Sequence, residues 1–261
     1  MEPRHRYVFV GGLHRSGTSL TARLLARHPS ISGIEGAPVP ENEGVYLQGA
    51  IPHTARHGIP CHFATDPAQH LIEGCVHDRL ETRIRLEADW APWFEPDAPW
   101  RVEKSPVNLT RMRLYQQLFP LSQFVVVLRH PQAVAAAMAK WTGRPVHELV
   151  AHWIEAHDRL LSDLPHLHAV MVMRYEDLAA DPAGCAARLH AFLDLPASGA
   201  VMEEDIRDGN LDYASAAKPM EAEMARAVSR WGYSDALRAD PSYRGELRHP
   251  LRRVAEAAGA A

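Results

Sequence analysis

Cysteine and lysine are both scarce in this chain, and it has no long apolar run. Its three cysteines, Cys61, Cys75 and Cys185, are odd in number, widely spaced and without a CxxC pair. That argues against a disulfide framework or a structural zinc site and makes a reducing cytoplasm the default compartment. The opening MEPRHRYVFVGG holds too short an apolar stretch for a secretory signal, and no later run approaches the roughly 20 residues of a membrane span. A soluble, cytoplasmic protein without membrane insertion is expected. Metal-ligand spacing is also missing among the 16 histidines: the nearest pair, His53 and His57, runs directly into Gly58-Ile59-Pro60. No metal is expected. Nor is there an excess of positive charge, since 28 Lys+Arg stand against 32 Asp+Glu for a net charge of −4. Without a basic field nucleic acid is not an expected partner, and any bound anion must be held by a local constellation.

What is present is a globular composition, 46% hydrophobic and 23% charged over 261 residues, which excludes a disordered or fibrous chain. Only Lys104, Lys140 and Lys218 are lysines; the other 25 basic residues are arginines. Coding bias accounts for such a background, but a compact ammonium and a planar guanidinium are not interchangeable. Each surviving lysine is therefore weighed against the motif around it.

Hydrophobic periodicity predicts strands at Tyr7–Val10, Ile31–Ile34, Trp100–Glu103, Phe124–Leu128 and Val170–Met173. Between them, helical spacing predicts helices after Gly17, over about 71–93, from Pro106 through Leu118, from Pro131 to Trp141, over 146–161, and from Pro182 to Leu193. A further helix is expected near Met220–Trp231, followed by a polar tail over about 245–261 that frays. Glu35 to Pro67, rich in Gly, Pro and His, reads as functional loops. Alternating strands and helices predict an α/β fold: one domain over 1–261, P-loop-like, with a central parallel sheet flanked by helices on both faces. Ligands of such sheets bind beyond the carboxyl ends of the strands. Gly11–Gly17, Glu35, Lys104, Arg129 and Tyr175 fall there.

Gly12-Leu13-His14-Arg15-Ser16-Gly17-Thr18-Ser19 has Walker A spacing between strand and helix, with Thr18 where the Walker lysine would stand. Backbone N–H groups and the helix N-terminus still form an anion cradle. Loss of the lysine argues against ATP or GTP as phosphoryl donor and suits a 5′-phosphate with another small anion attached. An ordinary Gly/Ser-rich turn would look similar in isolation. A second basic strand exit, FVVVLRHP with Arg129, favours a nucleoside carrying phosphates at both ends.

The series RSGTS, VEKSP, VVVLRHPQAV and VMRYEDL, in this order from about Tyr7 to Tyr233, resembles the PAPS-dependent sulfotransferases of bacterial small-molecule type. The resemblance implies that Arg15, Ser16, Gly17, Thr18 and Ser19 bind the 5′-phosphosulfate, that Arg129 binds the 3′-phosphate and that Tyr175 lies against the nucleotide. PAPS is then the donor and PAP the released product. AAKPMEAEMARAVSRWGY is similar to the segment that closes over the nucleotide in tyrosylprotein sulfotransferases, which implies Lys218 and Arg230 as nucleotide contacts, with Ser229 beside them. A solvated lysine at a helix start is the plain alternative for Lys218. One departure is Ala137, eight positions after Arg129, where family members often carry a 3′-phosphate serine; Lys140 or a late arginine is a candidate replacement.

Sulfuryl transfer asks the protein to position, to deprotonate the acceptor and to stabilise charge on the leaving phosphate. Lys104 in Glu103-Lys104-Ser105-Pro106 suits the last task, as the resemblance also implies; a salt bridge to Glu103 is the alternative, although adjacent strand residues face opposite ways. The base candidates are Glu43 and Glu41, slightly ahead of Glu35, because the KSP stretch lacks the histidine of cytosolic relatives. The aromatics Tyr46, Phe63, Trp90, Trp93 and Phe94 with His53 wall an acceptor site or fill the core. The expected function is transfer of sulfate from PAPS to a hydroxyl of a small-molecule or glycosyl acceptor, with homo-oligomerisation allowed. The alternatives are a P-loop small-molecule kinase and a catalytically inactive PAP-binding protein.

Overall fold

The computed structural model describes residues 5–53, 61–198, 206–235 and 237–260. The chain starts with β1 (Arg6–Gly11), turns through the glycine loop into α1 (Thr18–Ala26) and continues to the short β2 (Ile31–Gly33). A long irregular stretch holds α2 (Gly44–Leu47) and leads to α3 (Leu80–Trp90) and β3 (Trp100–Lys104). Next come α4 (Met112–Leu118), β4 (Gln123–Leu128), α5 (Pro131–Thr142) and α6 (Val146–Asp163). The last third holds β5 (Val170–Arg174), α7 (Tyr175–Ala180), α8 (Pro182–Phe192), α9 (Ala222–Ser229), β6 (Glu246–Arg248) and α10 (Arg252–Ala260).

The sheet runs β2-β3-β1-β4-β5-β6. Its first five strands are parallel, and β6 joins β5 antiparallel through Val170↔Arg248, Met171↔Leu247 and Val172↔Glu246. Strand residues alternate between two apolar layers. Tyr7, Phe9, Phe124, Val126 and Val172 face one core with Trp90, Tyr115, Phe119 and Trp153; Val8, Val10, Val125, Val127 and Met171 face the other with Leu24, Leu25, Leu189 and Phe192. Burial on both faces explains why FVVVL is continuously apolar rather than alternating. From β1 the chain goes to one side for β2 and β3, then crosses to the other for β4, so the order reverses at the β1/β4 boundary. A crevice opens there at the strand carboxyl ends.

The α/β fold with its central parallel sheet is as expected, and β6 adds one antiparallel strand at the edge. Three other expectations need correction. The helix expected over 71–93 occupies only Leu80–Trp90, and Tyr175–Ala180 is a helix where none was predicted. The tail expected to fray instead forms β6 and α10, which packs on α8 and buries Val254 and Ala258. Its local sequence is polar because only one narrow stripe of α10 is covered. Val254→Asp is expected to destabilise the protein by about 2–4 kcal/mol, since it buries an unpaired carboxylate. Urea denaturation reads this; an unchanged midpoint would mean that the tail contributes nothing.

Candidate active site

The glycine loop is shaped by backbone torsions that its sequence permits. Gly17 (φ 102°) is left-handed, and a Cβ there would lie 2.7 Å from the Tyr175 ring, so only glycine allows that ring to lie on the loop. Arg15 (φ 70°) is also left-handed, an uncommon state for a residue with a side chain. It turns its carbonyl outward, where it accepts from Arg129 Nη1 at 3.1 Å. The Ser16 side chain is buried, and its Oγ has no hydrogen-bond partner among the described residues. An orphaned hydroxyl beside the open N-terminus of α1 fits an anion that supplies the missing partner.

A cleft of about 350 Å³ at this end of the sheet is lined by His14, Arg15, Gly17, Thr18, Ser19, Glu41, Glu43, Arg129, Trp141 and Tyr175. It adjoins a second hollow of about 500 Å³ that includes Glu35, Lys104 and Asn42 and shares Ser19, Arg23 and Glu41 with it. The structure thus brings together residues expected from five separate stretches of chain. Arg129 is also fixed by Asn210, whose Oδ1 accepts from Nε at 2.8 Å, and by the Tyr175 ring at 4.4 Å. Lys140 lies 5.0 Å over Tyr213, whose ring Arg129 approaches at 5.8 Å. Lys218, expected as a nucleotide contact, is exposed and lines neither hollow; its carbonyl accepts from Gln132 Nε2. Arg230 and Ser229 are exposed at the carboxyl end of α9 and line neither hollow. His57 lies outside the described residues. Among the described residues no cluster of three His, Cys, Asp or Glu is placed to hold a metal.

The three glutamates are sorted by their surroundings. Glu35 and Glu41 are exposed, and Glu41 accepts from Ser19 Oγ at 3.2 Å. Glu43 is buried and pairs with the equally buried Lys104 at 3.2 Å. Burial pushes the Glu43 carboxyl up to about 7, against the opposing pull of Lys104. Lys104 therefore pairs with Glu43 and not with its strand neighbour Glu103. That neighbour is fully buried and anchors from behind the turn that carries Glu43. Its Oε1 accepts from Gly44 N–H at 3.0 Å and Ser105 Oγ at 2.6 Å, and its Oε2 accepts from Asn108 Nδ2 at 2.6 Å. Ser105 Oγ in turn accepts from Val45 N–H at 3.0 Å, and the Gly44 carbonyl accepts from Trp90 Nε1 at 2.9 Å. A Cβ on Gly44 would lie 2.6 Å from Glu103 Oε1, so glycine is required for this close approach.

Glu103, Ser105 and Asn108 escaped the sequence reading as site residues, although EKSP itself carries two of them. Glu176 escaped it too. Within RYEDL this buried carboxylate accepts from His130 N–H at 2.9 Å, Asn210 Nδ2 at 2.6 Å and the Tyr233 hydroxyl at 3.0 Å. Arg174 of the same motif donates to the carbonyls of Asp240 at 2.9 Å and Gly232 at 3.3 Å. The motif thus staples the C-terminal segment to the strand ends. Of the expected acceptor aromatics, Trp90 and Phe94 are core side chains packed with Tyr7 and Phe119. Phe63 is 5.8 Å from His14, and Tyr46 is 5.1 Å from His53.

A protein-family model described as "Sulfotransferase family" matches residues 7–199, more than half of the chain. Similar solved structures include the sulfotransferase domain from the Synechococcus PCC 7002 olefin synthase, at 17% identity over 90% of this chain and 98% of that one with a TM-score of 0.50. The sulfotransferase domain from the curacin biosynthetic pathway matches at 19% over 88% and 98%, with a TM-score of 0.52. A sulfotransferase from Mycobacterium avium matches at 12% over 99% and 76%, with a TM-score of 0.53. At these identities the likeness is one of fold. No curated protein matches the chain significantly.

The raised Glu43 carboxyl makes stability depend on pH. The folded protein holds that proton up to about pH 7, whereas the unfolded chain releases it near the ordinary carboxyl value of 4.5. Its contribution therefore favours folding at low pH and is lost as pH rises through 7. Glu43→Gln is expected to be the more stable protein at pH 8, by about 1–3 kcal/mol, and to match the wild type near pH 4. Urea denaturation at both pH values checks this; parallel losses in the two proteins would contradict it.

Proposed function

The chain belongs to the sulfotransferase family, and from that premise we propose that it moves a sulfuryl group from PAPS to the hydroxyl of a small-molecule or glycosyl acceptor, releasing PAP. The observation that carries this reading is the buried Lys104–Glu43 pair at the mouth of the anion loop, a cation and a base of raised pKa within one hydrogen bond of each other. Thr18 in place of the Walker lysine favours this donor over ATP.

The loop around Ser16 and the N-terminus of α1 hold the 5′-phosphosulfate, Arg129 meets the 3′-phosphate, and the Tyr175 ring on Gly17 lies along the nucleotide. The acceptor oxygen attacks sulfur in line with the leaving oxygen. Its proton passes to the Glu43 carboxylate as the new O–S bond forms. The electron pair of the breaking S–O bond goes to the phosphate oxygen, where the Lys104 ammonium stabilises it. Turning Lys104 toward that oxygen takes its pull away from Glu43 and strengthens the base at the moment it is needed. A sulfate ester and PAP result, and Glu43 returns its proton to water. Sulfuryl groups carry less charge than phosphoryl groups, so the ammonium and loop amides suffice for this reading and no metal is invoked. Trp141 and His14, on the cleft wall beside Glu43, are placed to meet the acceptor.

Calorimetric titration with PAP tests the donor. Binding by the wild type, weakened at least tenfold in Arg129→Ala and Ser16→Ala, is expected; no wild-type binding overturns the reading. Lys104→Ala and Glu43→Gln are expected to lower kcat by about 10²–10³ with little change in PAP affinity. Glu41→Gln and Glu35→Gln are expected to stay within tenfold of the wild type. A larger loss in either would move the base. The acid limb of the rate profile is expected near pH 7, where Glu43 ionises.

A further inference from the structure

Arg129 is a cation held in place by neutral groups. Its Nε donates to Asn210 Oδ1 at 2.8 Å and its Nη1 to the Arg15 carbonyl at 3.1 Å, while its guanidinium covers the Tyr175 ring at 4.4 Å. Glu176 belongs to the same network without a hydrogen bond or ion pair to the arginine among the described contacts. Asn210 stands between them, fully buried, with its Nδ2 donating to Glu176 Oε1 at 2.6 Å. Glu176 spends its remaining capacity on His130 N–H and the Tyr233 hydroxyl. A direct Arg129–Glu176 pair would orient the guanidinium but cancel its charge; the amide orients it and leaves the charge for a ligand. Of the other acids of this segment, Asp212 is paired with Arg207, and Asp208 accepts from the Asn210 backbone N–H at 3.0 Å.

A second cation sits on the same frame. Tyr213, three residues beyond Asn210, carries Lys140 at 5.0 Å from its ring centre and Arg129 at 5.8 Å. Lys140 is exposed on the last turn of α5, and Ala137, one turn before it, offers no hydroxyl. Two cations on one ring, with no acid paired to either among the described contacts, leave positive charge available beside the cleft that Arg129 lines.

We propose that Asn210 is the positioning residue that selects a donor bearing a 3′-phosphate, by presenting the Arg129 guanidinium un-neutralised, with Lys140 as the second cation in place of the missing serine. This rests on the PAPS reading and assigns to the C-terminal segment the discrimination between a 3′-phosphorylated adenosine nucleotide and one without that group.

The test compares binding of adenosine 3′,5′-bisphosphate and adenosine 5′-monophosphate by calorimetry in the full chain. The wild type is expected to prefer the bisphosphate by at least tenfold. Asn210→Ala is expected to lose most of that preference while its affinity for the monophosphate stays within about twofold. Asn210→Asp is expected to lose more, because the new carboxylate both neutralises Arg129 and faces Glu176. Equal weakening of the two nucleotides would assign Asn210 a merely structural part and overturn the proposal, as would an unchanged preference in both variants. Lys140→Ala, at an exposed position that does not threaten folding, must also lower the preference; an unaltered ratio there overturns the role of Lys140. Absence of any preference in the wild type would instead overturn the PAPS reading itself, so the two failures are distinguishable.

Discussion

The arrangement turns on a buried pair of opposite charges, Lys104 and Glu43, at the carboxyl end of a central strand. Taking both groups out of water is costly, and their mutual attraction offsets only part of that cost. The structure tolerates the pair because the backbone around both members is held in place. β3 is flanked by β1 and β2; β2 pairs with it as far as Val102, and the Lys104 backbone is held by β1, opposite Val10. Glu43 is fixed by the peptide that follows it, bolted through Gly44 and Val45 to Glu103 and Ser105. The residual penalty appears as the raised Glu43 carboxyl. In the proposed reaction that penalty makes the group basic enough to work near neutrality, so the desolvation that weakens the fold would support the chemistry.

A second buried carboxylate, Glu176, has the opposite use. It accepts three hydrogen bonds from three distant parts of the chain and so joins the strand-end turn at His130 to the segment carrying Asn210 and Tyr233. Arg174 does the same for Gly232 and Asp240. Fully satisfied polar hubs of this kind specify one arrangement, because each unmade bond would leave a buried group unpaired. The cleft wall on the β4 and β5 side therefore depends on residues set behind those that line it. On the β3 side Glu103 plays the corresponding part. Both ends of the cleft are positioned by carboxylates set one layer behind the side chains that face it.

Much of this was legible in the chain itself. The apolar strands announced the central sheet, and the glycine loop, Lys104, Arg129 and Tyr175 were legible because each follows a strand at once, where local order in sequence is also local order in space. Gly17 and the RYEDL tyrosine were legible as members of motifs, though not as a packed pair. Asn210 carried no signal: a lone asparagine in a polar stretch acquires meaning only from Arg129, which is far away in sequence. The polar tail gave no hint of β6, since a short edge strand exposed on one side needs little apolar surface. Trp90 and Phe94 could be read as site or core with equal ease, because aromatic content does not say which face of a helix or turn meets the sheet.

The sequence by itself determined the parallel sheet, the anion loop without its Walker lysine and the basic strand exits. These follow from periodicity and from short-range spacing, which survive in one dimension. Only the tertiary structure set Glu43 apart from the other two glutamates, by burying it against Lys104. Lone carboxylates in a loop look alike until burial and a neighbouring ammonium separate them, and burial is a property of everything packed around a residue. The same holds for the neutral cradle of Arg129: its charge is written in the sequence, but whether that charge is spent on a carboxylate or kept for a ligand is decided by which distant side chain lies beside it.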